Sequence, residues 1–280
     1  MYAFIRTLPE VAPKENAGPV RQTIVFSKVL LIDFAGALFL LALSSGCGII
    51  QQFKPHEKKA AQILVEMGAS IGLNREGEVD VVSFHKGGGR LTFSKTITVT
   101  DDALKHLSSF GSLRKLDLPH NISNEGLAHI ADLTKLEELW LNGEMFKPSE
   151  AGRISSAGMV HLKDLVNLQY LSFPPGCQLE DNHHLAYLRK LKKLKMISYS
   201  FHGQITDEGL EHLSALESLE GLTLNNSKIT DHGLVHVEKM KRLEDLLIHH
   251  TRVTPAAVAR LEAALPECDV GGQIRPPADR

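Results

Sequence analysis

Apolar residues recur along most of this chain in a fixed phrase, L-x-x-L-x-L. It reads Leu113-Leu116-Leu118, Leu136-Leu139-Leu141, Leu219-Leu222-Leu224 and Leu243-Leu246-Ile248. Degenerate copies are Leu168-Leu171-Phe173 and Leu194-Ile197-Tyr199. The last two apolar positions alternate with their neighbours, as a short half-buried strand requires. A second phrase follows, clearest in Ile205-Thr206-Asp207-Glu208-Gly209-Leu210-Glu211-His212-Leu213 and, 24 residues on, Ile229-Thr230-Asp231-His232-Gly233-Leu234-Val235-His236-Val237. Weaker copies start at Val99, Ile122, Ile154, Leu179 and Val253. Leu210, Leu213 and Leu216 stand at i, i+3 and i+6 and predict an inward helix face. Thr206, Thr230 and Ser123 suit helix N-caps, and Asp207 and Asp231 favour the positive helix start. Pro255 after Thr254 is tolerated as a first helical residue. Self-similarity at this period predicts a stacked repeat array rather than a globular enzyme core.

The repeats fill residues 99–270, about seven of them with the last acting as a cap, and a tail of 271–280 is expected to be disordered. Residues 1–28 mix Arg6, Lys14, Arg21 and Lys28 with Pro9, Pro13 and Pro19, so no stable fold is expected there. Residues 29–43 are apolar except for Asp33, and Ser44-Ser45-Gly46-Cys47 follows. A basic flank, an apolar core and small residues before a break make a secretory signal pattern. Ser-Gly-Cys at the end of such a run resembles a bacterial lipobox, which implies lipidation at Cys47. That resemblance is partial: Ser44 stands three residues before Cys47 where the lipobox prefers Leu, and Leu43 comes one place too early. The rival reading is an uncleaved membrane helix. Extended over 29–50 the segment would reach about 33 Å, enough for a hydrocarbon core of roughly 30 Å. Either reading tethers the repeats to a membrane, outside the cytoplasm.

Residues 51–98 read as a linker and N-terminal cap, since a repeat array exposes an apolar end unless something covers it. Ala60, Ile63, Leu64 and Met67 predict a helix over 56–67, ended by Gly68. Residues 79–84 and 91–99 read as strands around the turn Gly87-Gly88-Gly89. Gly89, Ser94, Lys95 and Thr96 nearly spell a phosphate loop, but Ser94 replaces a required glycine and a strand-like run follows where a helix is needed.

The paired phrases resemble the leucine-rich repeat family, nearest its cysteine-containing type with the phrase T-D-x-G-L. The usual cysteine position holds Asn121, Ser227 or Thr251, each able to bond neighbouring backbone. The single anchor and the closing Ala264-Leu265-Pro266-Glu267-Cys268 look like repeat proteins of planctomycete-type bacteria. The resemblance implies an α/β leucine-rich repeat solenoid, with parallel strands on a concave face and helices outside. Strands stack about 4.8 Å apart and helices need 8–10 Å, so the stack curves. It also implies binding of another macromolecule, since such repeats serve many roles and few are chemical.

Composition narrows the function classes. Net charge is −2 and pI about 6.7, which does not point to nucleic acid. Three cysteines make neither a disulfide framework nor a metal-type pair. Cys177 and Cys268 lie four strand spacings apart, roughly 19 Å, beyond a disulfide's Cα limit near 7 Å. Cys268 is expected in the C-terminal cap. His106, His129, His161, His212 and His236 recur in the helix phrase. Neighbouring helices place them too far apart to share an ion, because metal–nitrogen bonds are about 2.0–2.1 Å. No nucleophile–base constellation, metal cluster or cofactor loop is read, and no cofactor is expected.

Trp140, Tyr170 and Met196 fall on adjacent strands of the predicted concave face, with Glu138 beside them. The step from Ile122 to Ile154 is 32 residues, and its excess is a loop containing Phe146. The next repeat adds Pro174-Pro175-Gly176-Cys177 on the same edge. Trp and Tyr are favoured interface anchors, and insertions in arrays often belong to binding faces. The expected function is therefore membrane-tethered, extracytoplasmic protein binding through Glu138, Trp140, Tyr170, Met196 and Phe146. A cell-envelope scaffold without a dedicated ligand is the alternative. An F-box-like substrate adaptor is a further one, disfavoured by the apolar run of 29–50.

Overall fold

The computed structural model describes residues 22–24, 53–84, 99–119, 121–141, 154–173, 179, 182–199 and 205–271. Its strands form one sheet in strict sequence order. They are β1 (Gln22–Ile24), β2 (Ser70–Leu73), β3 (Val79–Ser83), β4 (Lys115–Asp117), β5 (Glu138–Trp140), β6 (Tyr170–Ser172), β7 (Met196–Ser198), β8 (Gly221–Thr223), β9 (Asp245–Leu247) and β10 (Asp269–Val270). β1, β2 and β3 pair antiparallel, and every pairing from β3 to β10 is parallel. Leu116, Leu139, Leu171, Ile197, Leu222 and Leu246 stand in one register row, all buried. Their flanking residues therefore face the other way, onto the open side of the sheet.

The returns between strands carry α2 (Asn124–Ile130), α3 (His183–Leu188), α4 (Asp207–Leu213), α5 (Leu234–Val237) and α6 (Pro255–Ala264), preceded by α1 (Lys58–Glu66). Two returns, Asp101–Ser109 and Ser156–Leu162, are 3-10 helices. The tighter 3-10 turn suits short returns, where few residues must close the path back to the next strand.

The N-terminal unit differs from its sequence reading. α1 buries Ala60 and Leu64 as expected, and Ala61 joins them while Ile63 stays partly exposed. Gly68, at φ 92°, ends the helix in the left-handed region that glycine occupies freely. β3 pairs with β2 on one side and β4 on the other, so no edge of it remains for 91–99. The hairpin turn is 74–78 instead. There Asn74 Oδ1 accepts from the backbone N–H groups of Glu76 and Glu78, and Gly77 takes φ 74°. The strand reading for 91–98, the phosphate-loop-like stretch and Gly87-Gly88-Gly89 lie outside the described residues. Gln22–Ile24 departs from the expectation of no fold over 1–28 by pairing with β2, whose outer edge otherwise offers unpaired backbone groups. At the other end β10 adds a strand the leucine phrase did not announce. Cys268 is buried just before it, and burial pushes its thiol up to about 11.

Neighbouring repeats are joined by a clasp built from the T-D-x-G phrase. Asp207 Oδ1 accepts from the backbone N–H of Thr230 at 2.8 Å, and its Oδ2 accepts from the Thr230 hydroxyl at 2.7 Å. Asp231 holds Thr254 in the same way, at 2.7 and 2.8 Å. Asp101 likewise takes the N–H and hydroxyl of Ser123. Where asparagine replaces aspartate the geometry persists with one proton reversed. Asn124 Nδ2 donates to Ser155 Oγ, and Asn182 Nδ2 donates to Thr206 Oγ1.

The two kinds of clasp differ in what else the hydroxyl binds. Below an aspartate the hydroxyl gives away its proton and still accepts from a backbone N–H two or three residues on. Ser123, Thr230 and Thr254 accordingly accept from Glu125, His232 and Ala257 N–H groups. Below an asparagine the hydroxyl accepts from the amide instead, and Ser155 and Thr206 make no side-chain cap. The phrase's glycine gives the carboxylate room. A Cβ on Gly233 would sit 2.3 Å from Asp207 Oδ1, and on Gly209 2.5 Å from Asn182 Oδ1. In the terminal repeat Ala257 fills the equivalent place, in a helix that starts on Pro255.

One seam breaks the pattern. Ser156 occupies the Asp/Asn position. The glycine position opposite it holds His184, which is buried. Its ring meets Tyr199 edge-on at 6.1 Å, and Tyr199 stacks on Phe173 at 4.5 Å. Packing of these three rings thus lies between the two repeats. At the cysteine-like positions, Asn121 donates to the Val99 carbonyl at 2.6 Å and Thr251 to the Ile248 carbonyl at 2.9 Å.

Glu78 fastens the N-terminal unit to the first repeat. It takes hydrogen bonds from Lys54, from Ser112 Oγ at 2.5 Å and from Asn74. These donors, Lys54 foremost, hold its carboxyl down at about 2 from an ordinary 4.5. Its stabilising contacts are complete above 4.5 and are lost as pH falls through about 2. Denaturant melts of Glu78→Gln and wild type should therefore differ at neutral pH and converge across that interval; a constant difference would contradict the assignment. For the clasp, Asp207→Ala should cost about 1–2 kcal/mol and Asp207→Asn less, since Asn124 and Asn182 already serve. Gly233→Ala should cost about 1–3 kcal/mol. The pair should cost less than the sum, because removing the carboxylate removes the tightest contact and leaves only Leu210 Cδ1 at 2.9 Å.

Candidate binding face

Two rows of side chains line the open side of the sheet. The first runs Lys115, Glu138, Tyr170, Met196, Gly221 and Asp245 in direct register. The second runs Asp117, Trp140, Ser172, Ser198, Thr223 and Leu247. These are the positions that the leucine spacing predicts. The structure brings Glu138, Trp140, Tyr170 and Met196 onto three adjacent strands, each half-buried. Phe146 lies outside the described residues, as do both inserted loops and Cys47. The strands that lead into those loops, β5 and β6, end on buried Leu141 and Phe173.

Chemistry changes along the rows. At the N-terminal end Lys115 forms an ion pair with Glu138, and the Trp140 indole N–H donates to Glu138 at 3.5 Å. Ser83 donates to Asp117 at 2.9 Å. Glu138 thus already serves two neighbours, and it orients Trp140 as much as it presents a charge. Tyr170, Met196 and Gly221 follow without charge. A Cβ on Gly221 would meet Met196 Cε at 3.3 Å, so the methionine lies over the bare backbone. Buried Ser172 and Thr223 floor the second row. Asp245 and Leu247 close the face. The result is a shallow uncharged lane bounded by polar ends, pre-formed by rigid strands.

His106, His129, His161, His212 and His236 sit half-buried in the last turns of their helices, with α3 intervening between the third and fourth, away from this face. Among the described residues no three His, Cys, Asp or Glu side chains are grouped to hold a metal ion. Sequence reasoning missed His184. Its signal is the absence of glycine from its copy of the phrase.

No family model matches the chain. No curated protein matches it either. Among solved structures it is similar to an internalin (inlF) of Listeria monocytogenes, at 16% identity and TM-score 0.44, over 61% of this chain and 51% of that one. An internalin C2 of the same organism is similar at 19% identity and TM-score 0.41, over 66% and 78% respectively. A leucine-rich repeat protein of Leptospira interrogans matches at 19% and 0.39, over 59% and 44%. The chain thus spans about half the length of the first of these structures. The fold assignment rests on the chain's own geometry. Consecutive parallel strands, one buried leucine row and a helical return in each repeat make it a leucine-rich repeat solenoid.

Proposed function

We propose that this chain is a membrane-tethered, extracytoplasmic repeat domain that binds a protein partner through its concave face. The observation that carries the reading is the lane of Tyr170, Met196 and Gly221 beside Trp140. It offers large amphipathic side chains on adjacent rigid strands, at an edge where two repeats carry insertions. Tyr and Trp bring contact area at small entropic cost, and a pre-formed surface loses little freedom on binding. The function is recognition without chemistry, and neither catalysis nor a cofactor enters it. The N-terminal unit of α1, β2 and β3 serves as the cap of the array. An envelope scaffold without a dedicated ligand remains the competing reading. It is favoured by one observation: Lys115, Glu138 and Trp140 already satisfy one another.

The tether rests on the sequence of 29–50. Among the described residues no helix is long and apolar enough to cross a membrane, and 29–50 lies outside them. Pairing of β1 with β2 places Ile24 and Phe53, on either side of the apolar run, in one domain. A run that is cleaved or that crosses a bilayer removes that pairing, so the two arrangements are exclusive. Mass spectrometry of the mature N-terminus separates them. A lipidated Cys47 start supports the lipoprotein anchor. An intact chain in the membrane fraction supports the helix, and an intact chain outside membranes contradicts the tether.

For the binding face, partners that wild type recovers from its own envelope extract should be lost in Tyr170→Ala and Trp140→Ala. A hot-spot truncation of about 2 kcal/mol weakens binding roughly thirtyfold. Circular dichroism should show both variants folded. Partners that persist unchanged in both would contradict the assignment.

A further inference from the structure

The turn that leads into β7 reads Arg189-Lys190-Leu191-Lys192-Lys193-Leu194-Lys195, with five basic residues and no acidic one. Leu191 and Leu194 are buried, which forces the cations outward. Arg189, Lys190, Lys192 and Lys193 are exposed. The turn is fixed in place across three repeats. Lys193 Nζ donates to Asn167 Oδ1 on one side and Lys192 Nζ to the Ala215 carbonyl on the other, both at 2.7 Å. Lys195 pairs with Glu220 at 3.1 Å. Asp164 and Glu217 are the nearest exposed acids in the flanking turns, so a basic excess remains around 189–193.

Two further observations separate this from a solvated charged surface. Val166 and Tyr187 are 47% and 37% exposed, two of the three exposed large apolar side chains among the described residues. Val166 stands at the position of Lys192 one repeat earlier, and Tyr187 two residues before Arg189. Apolar groups set among cations are the composition of a lipid-interface surface. The second observation is where the chain enters. Lys54, four residues after the apolar run of 29–50, bonds Glu78, which also binds Ser112. Ser112 lies three residues before β4, as Lys193 lies three before β7. The entry point and the basic turn therefore share one edge of the solenoid, three strand steps or about 14 Å apart. Four residues reach at most roughly 14 Å, so an anchored chain holds this edge close to the bilayer.

We infer that this strand-entry edge, centred on residues 189–193, lies against the anionic headgroups of the membrane that anchors the chain. The inference rests on the proposed tether. In this arrangement the opposite edge, where β5 and β6 end and the insertions begin, faces away from the lipid. The basic side chains fix how the solenoid lies, and the anchor supplies its residence at the surface. Each basic residue near an anionic surface strengthens attraction roughly fivefold, an effect that salt screens over about 8 Å at physiological strength.

The test uses the full chain floated with vesicles of phosphatidylcholine alone or with phosphatidylglycerol, followed by lysine acetylation and mass spectrometry. Lys190, Lys192 and Lys193 should label at least fivefold more slowly on anionic vesicles and recover their rates in high salt. Lys228, exposed on the opposite edge, should not change. Arg189→Glu combined with Lys190→Glu, at exposed positions, should abolish the protection of Lys192 and Lys193 without loss of flotation. Flotation with neutral vesicles but equal labelling on both kinds overturns the edge assignment and leaves the tether intact. Failure to float with neutral vesicles removes the tether and the inference with it. Equal protection by a soluble oligonucleotide without vesicles reassigns the edge to polyanion binding and also overturns it.

Discussion

Five pairs of neighbouring repeats among the described residues are tied by one kind of clasp. The carboxylate or amide that opens one helix reaches down to the backbone N–H and hydroxyl that open the next. Those groups sit at a helix start, where backbone donors lack intrahelical partners. A helix that would otherwise need water or its own side chain for a cap is thus tied to the preceding turn of the solenoid. Leucines supply most of the burial energy, but a row of leucines slides easily. The clasp is directional, and it fixes the spacing and angle at which successive strands present their open side.

That constraint reaches the candidate face. Tyr170, Met196 and Gly221 form one lane because β6, β7 and β8 keep straight register. At the seam between the repeats of β6 and β7, Ser156 and His184 stand where other repeats carry Asp or Asn and glycine. Phe173, Tyr199 and His184 pack together there. The proposed binding lane therefore crosses this aromatic seam. Clasps lie on the edge where strands end, and the basic turn lies on the edge where they begin. The fold thus has chemically distinct edges even though its repeats are nearly alike.

Much of this was legible in the residues. The alternation in Leu116–Asp117–Leu118 and its copies assigned both the buried row and the open row before any coordinates, and the structure reproduces those positions. The meaning of T-D-x-G was only half legible. Thr and Asp read individually as cap and dipole partner, and two of the five clasped hydroxyls, Ser123 and Thr254, do cap their helices. Yet the partner of each aspartate lies 22 or 23 residues away, as in Asp101 and Ser123 or Asp207 and Thr230, and nothing local announces it. The glycine reads as a backbone requirement, whereas its role is to make room for the carboxylate. The β2–β3 hairpin was not read, because Asn74 to Glu78 is a weaker turn signal than three glycines, although it brings its own side-chain bonds. β10 has too few residues for periodicity to show. His184 was passed over because five other histidines formed the visible pattern.

The most direct test of the clasp as the element that sets register is amide hydrogen exchange on Asn182→Ala. Asn182 bonds the N–H and hydroxyl of Thr206, so only the seam entering α4 loses its tie. The account predicts faster exchange at Thr206 and through Asp207–Leu213, with the rates of α1, β2 and β3 unchanged. Unaltered exchange at Thr206, or an equal rise along the whole solenoid, would contradict it.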